Sequence, residues 1–370
     1  MLLLIPGPVT THDAVRAAAA QDYAPWDNDY RTLVERVRKR VLHLAGGREG
    51  EHDALPLQGC GHFALEAACR TFVPAGGRIL LPKTGQYADR FERLAREAGR
   101  VVAGLAVPEG ERVDPASLRA ALRADPTLTH VALVYSETAT GLIHDVPALA
   151  AVAGSEGRRV IIDAVSAFGA LPLNIGELPM VDSIVFTTNK CIEGLPGASF
   201  TIARADRLEA CAGQAQSWSF DLSDLHRHYQ QMPGSHRYTP AAGAIAAFDV
   251  ALDLYEAEGG QPARLARYTA SMQRLYAGVT AMGLSPCLPL ALQGPIVVNV
   301  HAPADPAWAL QRFVAGLKRR GVVISDFYNT AEPSFRVGCI GAITPDDMGR
   351  AVVAMEQTLN EMGIGTRKAA

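Results

Sequence analysis

Short apolar runs recur through the first half of the chain, at Ala54–Leu57, Arg78–Leu81, Val101–Leu105, His130–Tyr135, Val160–Ile162, Ser183–Phe186 and Ser199–Ala203. They lack the apolar–polar alternation of a strand with one wet face, so each must be buried on both sides. Between them, Phe63–Phe72, Tyr87–Glu97, Pro115–Arg123 and Val146–Gly154 carry apolar residues at helical spacing. Asp114-Pro115 is a helix start with proline in the first turn. Strand and helix in alternation predict an α/β fold built on a mostly parallel seven-stranded sheet with helices on both faces.

The pattern changes from about residue 242. Helices are expected over Gly243–Glu258, Pro262–Met282, Pro306–Arg320 and Pro345–Met362, with strands at Ile296–His301, Val322–Ser325 and Phe335–Gly338. This divides the chain into a large domain, residues 1–250, and a smaller α+β C-terminal domain, residues 251–370. The polar, aromatic stretch Ala212–Gln231 reads as a loop with a short helix.

Composition excludes several partners. At 48% hydrophobic and 20% charged the chain reads as soluble and globular, with enough length to bury a large core. A net charge of −3 gives no basic footprint for nucleic acid or an anionic membrane. The six cysteines are scattered without a CxxC pair, which suits reduced thiols in the cytoplasm. Met1-Leu-Leu-Leu-Ile5 has no basic leader and meets Pro6-Gly7-Pro8 at once, so it reads as neither signal peptide nor membrane span.

The chemistry gathers at strand ends. Gln58-Gly59-Cys60-Gly61-His62 stands between a strand and a helix, where free N–H groups form an anion nest. Neither GxxxxGK[ST] nor a GxGxxG fingerprint occurs, which argues against nucleoside triphosphates and dinucleotides. Tyr87 follows the next strand and can stack on a flat heterocycle. Ser136-Glu-Thr-Ala-Thr-Gly141 puts hydroxyls at another carboxyl end, Asp163 closes a further strand, and Asn189-Lys190 lies just past the next. Singly, these are a turn, a core tyrosine, a cap and a solvated lysine. Together they supply what pyridoxal 5′-phosphate needs: a phosphate cradle, a stacking ring, an amine for the aldehyde and a carboxylate for the pyridine nitrogen.

Specific motifs extend this picture along nearly the whole chain. They are Leu4-Ile-Pro-Gly-Pro-Val-Thr-Thr11, Trp26-Asp-Asn-Asp-Tyr30, Leu57-Gln-Gly-Cys-Gly61, Ser136-Glu-Thr138, Ile162-Asp-Ala164, Ala167-Phe-Gly169, Asn189-Lys-Cys-Ile192, Gly194-Leu-Pro-Gly197, Arg237-Tyr-Thr239 and Phe335-Arg-Val-Gly338 with Ile340-Gly341. On them the sequence resembles the class V, fold-type I aminotransferases, and within these the branch that moves the amino group of 2-aminoethylphosphonate to pyruvate. The resemblance implies that Lys190 bonds the cofactor, Asp163 pairs with its ring nitrogen, Tyr87 stacks on the ring, Thr138 contacts it near the ring oxygen and Val165 packs beneath. Cys60, Gly61 and His62 would hold the phosphate, with Asn189 beside the lysine, while Arg237 and Thr239 would reach that phosphate from the second subunit of a homodimer. Arg336 would bind the substrate's acid group, with Gly7 and Pro8 of the segment 1–30 closing over it. The partners implied are a small amino donor and a keto-acid acceptor.

Two departures from the branch stand out. Cys60 replaces a more usual serine, leaving a weaker donor. The run Val323-Ile-Ser-Asp-Phe-Tyr-Asn-Thr330 before Arg336 lacks the Tyr-Pro-Gly-Lys-like turn that close relatives tend to have there, which removes a possible cation near the substrate, and Asp326 adds a negative charge. Alanine–glyoxylate or serine–pyruvate transamination, or transamination of a related aminophosphonate, is therefore the alternative reaction.

Overall fold

A computed structural model describes residues 1–327, 330 and 332–365 of the chain. At its centre lies a seven-stranded sheet made from β1 (His52–Gln58), β2 (Arg78–Lys83), β3 (Val101–Ala106), β4 (Leu128–Val134), β5 (Arg159–Asp163), β6 (Val181–Thr187) and β7 (Ala198–Arg204). The spatial order is β1-β7-β6-β5-β4-β2-β3. All seven apolar runs become strands of this sheet. Every residue of β6 is buried, as covering both faces requires.

Only β7 runs against its neighbours, pairing antiparallel with β6 and β1. The reason is the connection: Thr188–Gly197 is too short for the crossover that a parallel partner needs. The reversal turns that segment, which contains Lys190, into a tight loop at the carboxyl end of β6.

Helices α1 (Asp13–Ala19) and α2 (Asn28–Leu44) precede the sheet. The sequence reading passed over both, although α2 buries the stripe Tyr30, Val34, Val37 and Val41. The crossover helices are α3 (Gly61–Phe72), α4 (Gln86–Glu97), α5 (Pro115–Ala124) and α6 (Val146–Ser155). After β7 come α7 (Ala205–Ala210) and α8 (Leu222–Gln231), so the expected short helix fills the second half of the stretch read as loop.

Helices α9 (Ala242–Glu258) and α10 (Gly260–Ala281) meet at Gly259, whose φ of 111° suits a residue without Cβ. The C-terminal elements are β8 (Val297–His301), α11 (Leu310–Arg319), β9 (Ser334–Gly338) and α12 (Pro345–Glu361). Thr344 and Asp347 form a reciprocal capping box at the start of α12. Extended pairing at Val322 stops at Val323, two residues short of the expected strand.

One apolar cluster runs from Val15 to Tyr255 and a second from Met272 to Ile364. Leu4 belongs to the second, and the N-terminus is laced into it: Leu2–Leu3 pairs with Val322–Val323, and Gly338 N donates to Leu4 O at 2.7 Å. That anchorage sends Pro6-Gly7-Pro8 across the carboxyl end of the sheet. Among the described residues, no helix is long and apolar enough to cross a membrane and no cluster has the donors for a metal ion.

Candidate active site

The Lys190 loop is held by bonds at both ends. Thr188 Oγ1 donates to Leu195 O at 2.6 Å, and Gly194 N donates to Thr188 O at 2.9 Å. Glu193 adopts φ 62°, an uncommon value for a side-chain-bearing residue. Its carboxylate accepts from Tyr268 Oη at 2.6 Å and Arg267 Nη2 at 2.7 Å, while Arg264 donates to Cys191 O. These three residues belong to α10, so the lysine loop is tied to the helix that opens the C-terminal unit.

Lys190 Nζ donates to Pro6 O at 2.8 Å. A Cβ on Gly7 would stand 2.6 Å from both Cδ and Nζ of Lys190, and φ at Gly7 is 147°. Only glycine lets the N-terminal segment lie this close over the lysine. Burial lowers the Lys190 amine to about 8; Arg336 and Arg90 push the same way, against Cys191 and Asp163. At pH 7 roughly a tenth of such amines are neutral, against a few in ten thousand at the ordinary lysine value.

Asp163 closes β5 and accepts from Val165 N at 2.9 Å through Oδ1. Burial raises its carboxyl to about 6, opposed by that bond and by Lys190. Val165 in turn fills the space beside the start of α3, where a Cβ on Gly61 would meet Val165 Cγ2 at 2.5 Å. Cys60 is the N-cap of α3 and makes no side-chain capping bond. Cys60 and His62 are exposed, so the first turn of this helix stays open to an anion. Thr138 Oγ1 donates to Ser166 Oγ at 3.1 Å, and Thr187 Oγ1 donates to Asn189 Oδ1 at 2.8 Å.

Arg336 joins this group from β9. Its Nη1 donates to Thr138 O at 3.2 Å and its Nε to Ser325 Oγ at 3.3 Å, and it also hydrogen-bonds the Tyr87 hydroxyl. The structure thus brings Lys190, Asp163, Val165, Thr138, Tyr87, Arg336 and Gly7 into one chain of contacts, with the Cys60–His62 turn alongside. Tyr328 and Asn329, within the divergent loop 325–330, lie outside the described residues.

Two further residues belong here that the sequence reading did not assign to the site. Glu137 is wholly buried; Oε1 accepts from Ala139 N at 3.1 Å and the carboxylate also takes Tyr87 N. It joins the loop of Tyr87 to the loop of Thr138, and burial pushes it to about 7. A carboxylate among hydroxyls at a buried strand's end was the available signal. Arg90 lies over the Tyr87 ring with its guanidinium carbon 4.9 Å from the centroid, and its charge bears on both Lys190 and Arg336. One helical turn after Tyr87, it was legible as that ring's neighbour.

Arg237 and Thr239 lie elsewhere in the same chain. They line a cleft with Gln58, Gly197 and Phe220. Arg237 Nη1 donates to the Asp224 carboxylate at 2.6 Å and to Trp218 O at 3.1 Å, partners outside the Cys60–His62 turn. Trp218, Tyr238, Phe63 and Trp26 are all exposed, and the first two touch edge to face at 5.2 Å.

The residues present fit a flat, anionic, aldehyde-bearing cofactor. A lysine poised near neutrality, a carboxylate raised by burial and an open helix start are the three features such a group needs. Comparison with known proteins agrees. The family model described as aminotransferase class-V matches residues 15–337. A Burkholderia lata protein named 2-aminoethylphosphonate–pyruvate transaminase 2 is 40% identical over 363 residues, covering 98% of this chain and 96% of its own. A Burkholderia ambifaria protein named 2-aminoethylphosphonate–pyruvate transaminase is 41% identical over 369 residues, covering 99% and 98%. The solved pyridoxamine–pyruvate aminotransferase from Mesorhizobium loti superposes with a TM-score of 0.89 at 25% identity, over 99% of this chain and 94% of that one.

Proposed function

We propose, from the premise that this chain belongs to the class-V aminotransferases, that it transfers the amino group of 2-aminoethylphosphonate to pyruvate. The products are phosphonoacetaldehyde and alanine. Pyridoxal 5′-phosphate is the cofactor, and when bound its ring withdraws the electrons of the breaking C–H bond.

The chain's own groups do the rest. Lys190 would carry the cofactor, and its Nζ, once free, would take the proton from the amino-bearing carbon; an amine near 8 is matched to that task at neutral pH. Asp163 would hold the ring nitrogen protonated, with Tyr87 and Val165 the residues to hold the ring itself. Asn189 and Thr138 frame the lysine and the ring oxygen. Cys60, Gly61 and His62 hold the phosphate, mainly through main-chain N–H groups because a thiol donates weakly. Arg336 grips the donor's acid group, and Gly7 and Pro8 close the site above Lys190.

The observation that carries the choice of donor is a second cation. Arg90 stands over Tyr87, whose hydroxyl Arg336 contacts, so a second guanidinium lies close to the one assigned to the substrate's acid group. A phosphonate dianion suits that pair better than a carboxylate does. The second reading, a carboxylate donor of the alanine–glyoxylate or serine–pyruvate kind, is favoured by Asp326 and by the lack of any lysine or arginine from Val323 to Phe335.

A donor panel separates the readings. With pyruvate as acceptor, 2-aminoethylphosphonate should give alanine at the highest kcat/KM. If it gives none while alanine with glyoxylate turns over well, the carboxylate reading stands. Arg336→Ala should lower kcat/KM for the best donor by roughly two to three orders of magnitude, the scale of losing a buried charge-assisted pair.

The active form is read as a cytoplasmic homodimer, with Arg237 and Thr239 of one subunit completing the phosphate site of the other. The exposed apolar residues around Arg237 support this, since Trp218 and Tyr238 are the kind of surface a second subunit covers. Mixing inactive Lys190→Ala with inactive Arg237→Ala subunits should restore activity, because some heterodimers then hold one intact site. No recovery after verified subunit exchange rules out action in trans.

A further inference from the structure

We infer that Asn299 is a specificity-determining residue that completes the acid-binding site beside Arg336 and donates to the third oxygen of a phosphonate; this rests on the reading of the donor given above.

Asn299 lies on β8 directly opposite Arg336 on β9. Residues paired across an antiparallel ladder project from the same face, with Cβ atoms about 5 Å apart. The other face belongs to the apolar core, where Val298, Val300, Phe335 and Val337 pack. Asn299 therefore shares the face from which Arg336 reaches Thr138 and Tyr87. Arg336 reaches the turn Thr138–Gly141 from this face, its Nη1 donating to Thr138 O at 3.2 Å, and a Cβ on Gly141 would come within 2.5 Å of Val297 O.

Only 1% of Asn299 is exposed, yet among the described residues neither Oδ1 nor Nδ2 has a hydrogen-bond partner. Leaving both ends of a buried amide unpaired is costly, and an isosteric apolar residue would pack there without that cost. Nearby, Gln293 spends Nε2 on Gly294 O and Val297 O, and its Oε1 likewise has no partner among the described residues. Unmatched polar atoms thus gather beside the arginine assigned to the substrate, where a bound ligand can satisfy them.

The division of labour follows from the chemistry of the acid group. A guanidinium fork engages two oxygens of a carboxylate and leaves none over. A phosphonate presents a third, and the Nδ2 hydrogens of Asn299 are a donor on that flank. An amide adds no charge, so it selects by oxygen count and leaves the electrostatics to Arg336 and Arg90.

The test uses the cofactor-loaded enzyme, with ethylphosphonate and propionate as competitive inhibitors of the alanine-to-pyruvate half-reaction, followed by the cofactor's absorbance. Asn299→Val should raise the inhibition constant of ethylphosphonate, and KM for 2-aminoethylphosphonate, about ten- to hundred-fold, the scale of one charge-assisted hydrogen bond. The constant for propionate should move less than about three-fold, and Tm should hold or rise. Asn299→Ser keeps a donor and should fall between; it also serves if the valine variant does not fold. An unchanged constant for ethylphosphonate overturns the proposal, as does equal loss of both inhibitors with a lowered Tm, the mark of a purely structural asparagine. A wild-type enzyme that ethylphosphonate does not inhibit overturns it too. If the wild type is inhibited by ethylphosphonate but turns over no 2-aminoethylphosphonate, the reading of the donor falls while the comparison of inhibitors still decides Asn299.

Discussion

Lys190→Ala is expected to reduce turnover by about ten-thousand-fold or more, with the fold intact. The amine has two tasks, bonding the cofactor and shuttling the proton, and positioned acid–base catalysis alone accounts for up to about four orders of magnitude. No other lysine substitutes: Nζ is fixed by Pro6 O, by the glycine packed on its stem and by the Glu193 network beneath the loop. Tm should hold or rise slightly, because the variant no longer buries an amine whose charged form burial disfavours. Alanine formation from pyruvate measures the first expectation and thermal unfolding the second. A small added amine should restore part of the rate if the missing group is only a base. Turnover within about ten-fold of wild type would remove Lys190 from the mechanism.

The sheet was legible because its burial is written in the sequence. Runs such as Val160–Ile162 and Ser183–Phe186 have no polar face, and residues covered on both sides admit few other placements. The site was legible for a related reason: parallel strands present their carboxyl ends together, so groups such as Asp163 and Lys190 converge although far apart in sequence. Two kinds of information were hidden. Gly7 gives no sign locally that it touches Lys190, because that contact depends on Leu2–Leu4 being laced into the C-terminal unit. Nor does Asn299 stand out within Val297–His301; its meaning comes from the register that sets it opposite Arg336. Arg237 shows the converse. Its motif implies a place at the phosphate, whereas its bonds within one chain run to Asp224 and Trp218, which is why the mixed-subunit experiment rather than the fold decides its role.

Asp163→Asn tests the electron sink with little change of shape. The amide keeps an oxygen where Oδ1 accepts from Val165 N at 2.9 Å, so the loop under the ring should stay in place. What is lost is the negative charge. In the chain without cofactor, burial raises this carboxyl to about 6, so at pH 7 most of it is ionised in a site that disfavours the ion. A protonated ring nitrogen relieves that penalty, and by the same coupling the carboxylate raises the nitrogen's own pKa; opposite charges this close shift such values by about one to three units. With asparagine the nitrogen loses its proton near neutrality, and the ring no longer neutralises the charge that develops as the C–H bond breaks. The rate should fall by roughly two to four orders of magnitude, with KM for the donor changed far less, because the interaction matters most in the transition state. The sign of the pH dependence follows from the same coupling. Asp163 must be ionised to pair with the protonated nitrogen, so cofactor affinity in the wild type should weaken as pH falls through about 6. The phosphate and Lys190 titrate in both proteins, so the difference between their profiles isolates Asp163. If the two affinity profiles superimpose and kcat is unchanged, another acid serves the ring nitrogen.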